Sequence, residues 1–64
     1  MNYCVFYLKH GGERVRVLTL EDEIFIGFLE DYTSAVDNEP DPESITVGDV
    51  EIYTFDIKKI ELLQ

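Results

Sequence analysis

The side chains of this sequence that could bind a ligand are concentrated in one acidic segment, residues 37–43. Carboxylates occupy every second position of the segment, and an asparagine lies among them: Asp37, Asn38, Glu39, Asp41 and Glu43. Hard cations such as Ca²⁺ take six to eight oxygen ligands, so the four carboxylates are candidate metal ligands. The segment lacks the central glycine and the closing glutamate of a calcium loop, and two prolines stiffen it. The pattern favours a rigid, solvated acidic loop over a metal site, and we expect no bound metal or cofactor.

No combination of side chains in this sequence is typical of an enzyme. His10 is the only histidine and Cys4 is the only cysteine. Neither has a sequence neighbour that would make it a general base or an activated nucleophile. A domain of this size also offers little concave volume for a substrate. We therefore predict that the protein is not an enzyme, that His10 lies in a turn, and that Cys4 is buried as a small apolar side chain.

The charge pattern limits the classes of partner. Fourteen acidic residues outnumber five basic ones, which gives a formal net charge of −9. No lysine or arginine lies between Val17 and Ile57, where twelve carboxylates fall. Such a surface repels phosphate backbones and anionic membranes, so the sequence argues against nucleic acid and membrane partners. The remaining partners are a second copy of the chain or a basic protein. The single cysteine is typical of a reducing compartment, which predicts a cytoplasmic location.

Aromatic side chains could form a stacking platform for single-stranded nucleic acid, but that use also requires a basic groove. Packing in a core or an interface is the better interpretation. Tyr53 and Phe55 alternate with Glu51 and are expected to share one face of a strand. If this face is exposed, the two aromatic residues are candidates for a protein contact, together with Asp37 and Asn38 of the acidic segment.

The spacing of apolar residues predicts a single, mostly β domain over residues 1–64. Residues 14–17 alternate polar and apolar side chains, and a slip of this phase over residues 18–20 predicts a β-bulge or a bend. Residues 24–32 form the strongest strand, with apolar side chains on both faces, so we expect it to be central in the sheet or packed against a neighbour on its second side. Gly27 lies in its middle, where a glycine indicates a bend or the close approach of another chain segment.

The flanking segments complete the predicted domain. Residues 2–10 fit either a short helical turn or an edge strand, and periodicity does not decide between them. Two strands at residues 44–47 and 50–54 flank a tight turn at Gly48 and Asp49. Asp56 is expected to cap a helical turn over residues 56–60, followed by a last strand at residues 61–63. The result is a small, strongly bent, five-stranded barrel with one helical turn before the last strand.

The order of these residues resembles that of Sm-like proteins. The resemblance rests on residues 8–17, on Gly27, Phe28 and Leu29, and on a tail from Val50 to Ile60. It extends to short acidic bacterial Sm-like proteins of unknown function, through the segments Tyr-Thr-Ser-Ala, Asp-Asn and Glu-Ser-Ile at residues 32–35, 37–38 and 43–45. It implies an SH3-like barrel that assembles into a ring by continuing its sheet from one copy to the next.

The resemblance does not extend to the residues with which Sm-like proteins bind RNA. Where that family has its loop aspartate this chain has Thr33, and where it has its asparagine this chain has Asp37, with Asn38 one place late. Residues 54–56 stand in place of the basic pair before the last strand. The leading hypothesis is therefore a self-assembling or protein-binding module. The alternatives are an acidic mimic that occupies the basic nucleic-acid-binding surface of another protein and, ranked below it, an RNA-binding Sm-like protein.

Overall fold

The computed structural model describes all residues of the chain, Met1–Gln64. Strands account for 47% of the residues, which confirms the predicted mostly β fold. The elements in chain order are α1 (Tyr3–His10), β1 (Arg14–Thr19), β2 (Ile24–Thr33), β3 (Ser44–Val47), β4 (Val50–Tyr53), a 3₁₀ turn (Thr54–Asp56) and β5 (Ile57–Leu62).

The five strands form one antiparallel sheet in the order β4-β3-β2-β1-β5. Strand β2 pairs with β1 through its first half, residues 24–28, and with β3 through its second half, residues 29–33. A register shift between Leu29 and Asp31 divides the two halves and bends the sheet there. The outer strands β4 and β5 do not pair with each other, so the bent sheet remains open between them.

The core lies inside the bend, where strands from both halves of the sheet contribute one face each. Its buried members are six aliphatic residues: Val15, Val17, Leu29, Ile45, Val47 and Ile52. Ile57 and Ile60 of β5 pack against this cluster from the edge. Period-two alternation in β1 places Val15, Val17 and Thr19 inward, so the predicted slip of phase after Val17 is absent. The pairing of β1 with β5 does shift register between Leu18 and Thr19, but the extra residue is Lys58 of β5.

The central strand β2 differs from its prediction on one face. Phe25 and Leu29 point toward the core, as alternation requires. The opposite face carries Ile24, Ile26 and Phe28, which are 50%, 54% and 55% exposed. The expectation that β2 is central is confirmed by its place in the middle of the sheet. The alternative, that a neighbour packs against its second face, is wrong, because no other element covers this face.

Gly27 lies where the hairpin between β3 and β4 comes closest to β2. A Cβ atom at this position would stand 3.2 Å from the backbone nitrogen of Gly48 and 3.3 Å from Cγ1 of Val47. The Gly48 N–H donates a 2.8 Å hydrogen bond to the Phe28 carbonyl. The predicted close approach at Gly27 is thus confirmed, and Gly48 has the positive φ of 62° expected of the hairpin turn.

The N-terminal segment forms an α-helix of two turns. The Asn2 side chain accepts a 3.1 Å hydrogen bond from the Val5 N–H and caps the helix. Tyr3, Phe6 and Tyr7 pack against the core at helical spacing, so tertiary burial resolves the ambiguity of the sequence in favour of a helix. One expectation is wrong as a result, because Cys4 lies on the exposed side of the helix. The helix ends at His10, whose carbonyl accepts a 3.0 Å hydrogen bond from the Glu13 N–H, so His10 is also the first residue of the predicted turn.

The C-terminal elements lie earlier in the chain than their prediction. The helical turn is Thr54–Asp56 rather than residues 56–60, and β5 begins at Ile57 rather than at Glu61. Pairing with β1 accounts for the difference, because Ile57 lies opposite Thr19 and the Leu20 N–H donates to the Asp56 carbonyl. Phe55 consequently belongs to the 3₁₀ turn, which corrects the expectation that it shares a strand with Tyr53.

Candidate functional site

The acidic segment folds as a compact loop that is fastened to β4 by Asn38. The Asn38 backbone N–H donates to the Ser34 carbonyl at 3.0 Å. Its side-chain Nδ2 donates to the Pro42 carbonyl at 2.8 Å and to the Glu51 carboxylate at 3.3 Å. Asn38, predicted as a contact for a partner, therefore has internal hydrogen bonds that hold the loop against the outer face of β4.

Glu43 joins three elements through its two carboxylate oxygens. The Tyr32 hydroxyl of β2 donates to Oε2 at 2.5 Å, and the Thr54 hydroxyl of the 3₁₀ turn donates to Oε1 at 2.5 Å. The Thr54 N–H also donates to the Glu43 carbonyl at 3.0 Å. These donors stabilise the charged carboxylate, the Thr54 hydroxyl most and the Tyr32 hydroxyl next, so the pKa of Glu43 lies below its ordinary value. The same hydrogen bond raises the pKa of Tyr32 to about 12.

The four candidate metal ligands do not converge on a common point. Both oxygens of Glu43 accept hydrogen bonds from Tyr32 and Thr54, whereas Asp37, Glu39 and Asp41 are exposed. The structure contains no group of three or more histidine, cysteine, aspartate or glutamate side chains that could hold a metal ion. Within this segment, Glu43 therefore connects β2 to the 3₁₀ turn by hydrogen bonds, and the other three carboxylates form an anionic surface.

Tyr53 and Phe55 form a stacked pair beside this loop. Their ring centroids are 5.9 Å apart and their planes differ by 5°. Phe55 is 63% exposed, and Tyr53 is partly buried. The nearby Asp41 carboxylate, together with burial and Glu51, raises the pKa of the Tyr53 hydroxyl. The structure thus brings the two predicted aromatic residues together at an exposed position, next to acidic side chains.

A cavity of about 140 Å³ opens next to Tyr53, and we refer to it as the acidic cavity. One wall is the end of β1, the following turn and the start of β2: Thr19, Leu20, Glu21, Glu23 and Phe25. The other wall is β4 and the 3₁₀ turn: Glu51, Ile52, Tyr53 and Asp56. Four acidic residues line an opening with partly apolar walls. The Glu51 carboxylate accepts hydrogen bonds from Asn38 and Ser44, which leaves Glu21, Glu23 and Asp56 to attract a positively charged group with an apolar stem.

The turn that forms one wall of the acidic cavity is held by the buried Thr19. Its hydroxyl accepts hydrogen bonds from the backbone N–H groups of Glu21 and Glu23, at 3.3 Å and 3.1 Å. Asp22 between them adopts a positive φ of 64°. The sequence indicates this polar turn, but it does not place the turn beside β4, because that proximity arises only when the sheet bends.

The exposed residues Ile24, Ile26 and Phe28 form a second feature, which we refer to as the apolar stripe. Arg14, which lies opposite Phe28, and Arg16, which lies opposite Ile26, flank the stripe on the β1 side. Arg16 forms a 2.8 Å ion pair with Glu61 of β5. The continuous apolar sequence of residues 24–29 was a visible signal for this stripe, but the same signal also fits a strand buried on both faces.

Both outer strands of the sheet leave backbone groups without a partner strand. In an antiparallel pair, hydrogen-bonded and non-bonded residue pairs alternate. Val47 and Val50 at the tight turn are a hydrogen-bonded pair, and so are Glu43 and Thr54 at the other end of the hairpin. Glu51 and Tyr53 of β4 therefore direct their N–H and C=O groups away from β3. On the opposite edge, the Leu63 N–H donates to the Arg14 carbonyl, so these two residues are a hydrogen-bonded pair. By the same alternation Ile60 is in a non-bonded pair with Val17, and its N–H and C=O groups point to the outer side of β5.

No helix of the structure combines the length and the apolar character that crossing a membrane requires. Comparisons with protein-family models, with curated proteins and with solved structures found no match for this chain. The resemblance to Sm-like proteins consequently stays a prediction that rests on the sequence.

Proposed function

We propose that the protein is a self-assembling interaction module whose copies associate through the free edges of their sheets. The observation that carries this proposal is the opposite charge of the two edges. Asp49 and Glu51 lie on or beside β4, whereas Lys58 and Lys59 lie on β5. An unpaired strand edge is a template for pairing with another chain, and opposite charges favour β4 of one copy next to β5 of another.

The small core gives a physical reason for such association. Only 8 of the 64 residues are buried, and six of these are aliphatic. A domain of this size buries a smaller share of its surface than a larger domain does, about 60%, and is commonly stabilised by disulfides, metals or oligomerisation. The single cysteine forms no internal disulfide. Association through the edges would bury further apolar surface and satisfy the free backbone groups of β4 and β5.

Pairing of β4 with β5 is a head-to-tail contact between two different surfaces. A contact of this type closes into a ring when the rotation between copies divides a full turn, and otherwise forms a filament. The resemblance to Sm-like proteins supports the ring, because that family continues its sheets in this manner. We therefore propose a homo-oligomeric ring in which each copy contributes both edges.

Native mass spectrometry at moderate ionic strength tests the proposal. We expect a single oligomer of defined copy number for the unaltered chain. Lys58→Glu combined with Lys59→Glu should dissociate it, because the β5 edge then repels β4. Lys9→Glu combined with Arg14→Glu, which changes the net charge equally at positions outside β5, should leave the oligomer intact. A monomeric unaltered chain, or equal dissociation by both pairs of substitutions, contradicts the proposal.

The acidic cavity favours a second candidate function, the binding of a basic protein. The ion pairs of the structure join His10 to Glu13 and both Arg16 and Lys59 to Glu61. The carboxylates of Glu21, Glu23 and Asp56 at the cavity are not among them, and only that of Glu51 is engaged, by Asn38 and Ser44. The first three therefore remain available to a cationic partner. Under this alternative the chain covers the basic nucleic-acid-binding surface of another protein. The affinity for such a partner should fall steeply as salt is added.

A further inference from the structure

A third stretch of free strand edge lies in the first half of β2. The Thr19 N–H donates to the Glu23 carbonyl at 2.9 Å, and the Leu29 N–H donates to the Glu13 carbonyl at 2.8 Å. Hydrogen-bonded and non-bonded pairs alternate along antiparallel strands. The two bonds therefore fix Ile24 and Ile26 as members of non-bonded pairs with β1. Their N–H and C=O groups point to the side of β2 that faces away from β1.

No strand of the chain occupies that side. Pairing with β3 covers residues 29–33 of β2 and ends at the 2.8 Å hydrogen bond from the Gly48 N–H to the Phe28 carbonyl. Residues 24–26 continue beyond this point, where β3 has ended at Val47 and the hairpin turn reverses the chain into β4. Four backbone groups, the N–H and C=O of Ile24 and of Ile26, are left for a partner. We refer to this stretch as the β2 edge.

The two faces that meet at the β2 edge differ in chemistry. The outer face is the apolar stripe, whose three side chains are each about half exposed. The inner face leads from Phe25 into the acidic cavity, where Glu21, Glu23, Glu51 and Asp56 lie around the opening. Successive side chains of a strand point to opposite faces. A strand added at this edge would therefore direct alternate side chains toward the stripe and toward the cavity.

We propose that the β2 edge binds an extended segment of a partner protein in which apolar and basic residues alternate. The backbone of the segment pairs with Ile24 and Ile26. Its apolar side chains cover the apolar stripe, and its lysine or arginine side chains enter the acidic cavity, where the stem contacts Phe25 and the charged end meets the carboxylates. Strand addition of this type obtains affinity from backbone hydrogen bonds and specificity from alternate side chains.

Charge and geometry distinguish this occupant from other classes of partner. Nucleic acid has no backbone that pairs with a strand edge, and its phosphates would meet the acidic residues at the cavity. An anionic membrane surface would meet the same carboxylates. A polypeptide with alternating basic residues matches both the free N–H and C=O groups and the negative charge. The inference does not depend on self-assembly, because the proposed oligomer uses β4 and β5 rather than the β2 edge.

The test uses the full chain and a fluorescent synthetic peptide of eight residues in which lysine and valine alternate. Fluorescence anisotropy measures the affinity, and ¹⁵N-resolved hydrogen exchange locates the contact. We expect saturable binding and slower exchange at the amides of Ile24 and Ile26. A peptide of equal composition with its four lysines in one block should bind more weakly, because its side chains cannot match both faces.

Two sets of variants separate strand addition from general electrostatic attraction. Glu21→Gln combined with Glu23→Gln should weaken binding about tenfold, since two exposed ion pairs are lost. Asp37→Asn combined with Glu39→Gln, which removes the same charge from the acidic loop, should change it little. Ile26→Pro removes an N–H group that forms no bond with β1 and should abolish the protection of Ile24. The hydrogen exchange of the core amides reports whether this variant stays folded.

Three results would overturn the inference. They are equal affinity for the alternating and the blocked lysine peptides, tighter binding of a peptide that alternates glutamate and valine, and binding without protection of Ile24 and Ile26. Absence of binding to the folded chain would also overturn it. The mass of the oligomer, measured in parallel, shows independently whether the self-assembly proposal holds.

Discussion

Replacement of Glu43 by glutamine tests how much one carboxylate contributes to holding the bent sheet together. In the structure the carboxylate accepts 2.5 Å hydrogen bonds from Tyr32 on β2 and from Thr54 in the 3₁₀ turn. A hydrogen bond to a charged group contributes about 1.5–3 kcal/mol, and one between neutral groups about 0.5–1.5 kcal/mol. Glutamine keeps one acceptor oxygen, and its Nε2 can only donate, so one hydroxyl donates to a neutral acceptor and the other must turn to accept. Each interaction is thus weakened by about 1 kcal/mol before solvent screening.

The side chain of Glu43 is only partly buried, so solvent screening reduces this difference. We expect Glu43→Gln to lower the free energy of unfolding by about 1 kcal/mol at neutral pH. For a domain of this size that corresponds to a decrease in melting temperature of roughly 4–8 °C. Urea unfolding followed by circular dichroism measures the free energy. Glu39→Gln, at an exposed carboxylate of the same loop, controls for the loss of one negative charge.

The difference in unfolding free energy between wild type and Glu43→Gln should depend on pH in a defined direction. The hydrogen bonds from Thr54 and Tyr32 lower the pKa of Glu43 below its ordinary 4.5 in the folded state. The contribution of the charged carboxylate is therefore complete above pH 4.5 and is lost as the pH falls through the lower folded-state pKa. The difference between wild type and Glu43→Gln should shrink over this range. A difference that is absent at neutral pH, or that persists unchanged in acid, would refute the reasoning.

Three further outcomes follow from the structure. Spectrophotometric titration should show that Tyr32 ionises near pH 12, and Glu43→Gln should move this ionisation toward the ordinary value of 10.0 because the hydrogen bond to the carboxylate is lost; an unchanged titration would contradict the assignment. Gly27→Ala should destabilise the fold by about 1–3 kcal/mol in urea unfolding, because its Cβ would lie 3.2 Å from the Gly48 nitrogen. Gly48→Asn, at a position with positive φ and open space, should have a much smaller effect, and equal effects would contradict the packing argument. Millimolar Ca²⁺ should leave the melting temperature unchanged, since no three acidic side chains converge; a clear rise would reveal a metal site.

Local patterns predicted most of the strands because they depend on neighbours in sequence. Alternation at residues 14–17 and the turn at Gly48 and Asp49 are both present in the structure. Helical spacing of Tyr3, Phe6 and Tyr7 was also present in the sequence. It did not decide between a helix and a strand, because a short isolated helix is marginal until its aromatic face is buried against a core.

The position of β5 shows where local signals fail. Asp56 followed by residues 57–60 fits a capped helical turn when taken alone. In the structure, pairing with β1 supplies more hydrogen bonds and buries Ile57 and Ile60 in part, so these residues form a strand and the helical turn moves to Thr54–Asp56. Non-local pairing outweighs a weak local preference.

The sequence by itself determined the mostly β composition, the places of the turns and the strong negative charge, because residue type and spacing decide these properties. Only the tertiary structure decided which apolar face stays exposed on β2 and which carboxylates surround a cavity. It also decided that Glu43 bonds to Tyr32 and Thr54, each eleven positions away. The physical reason is common to all three: they depend on contacts between distant parts of the chain, which the bend of the sheet brings together.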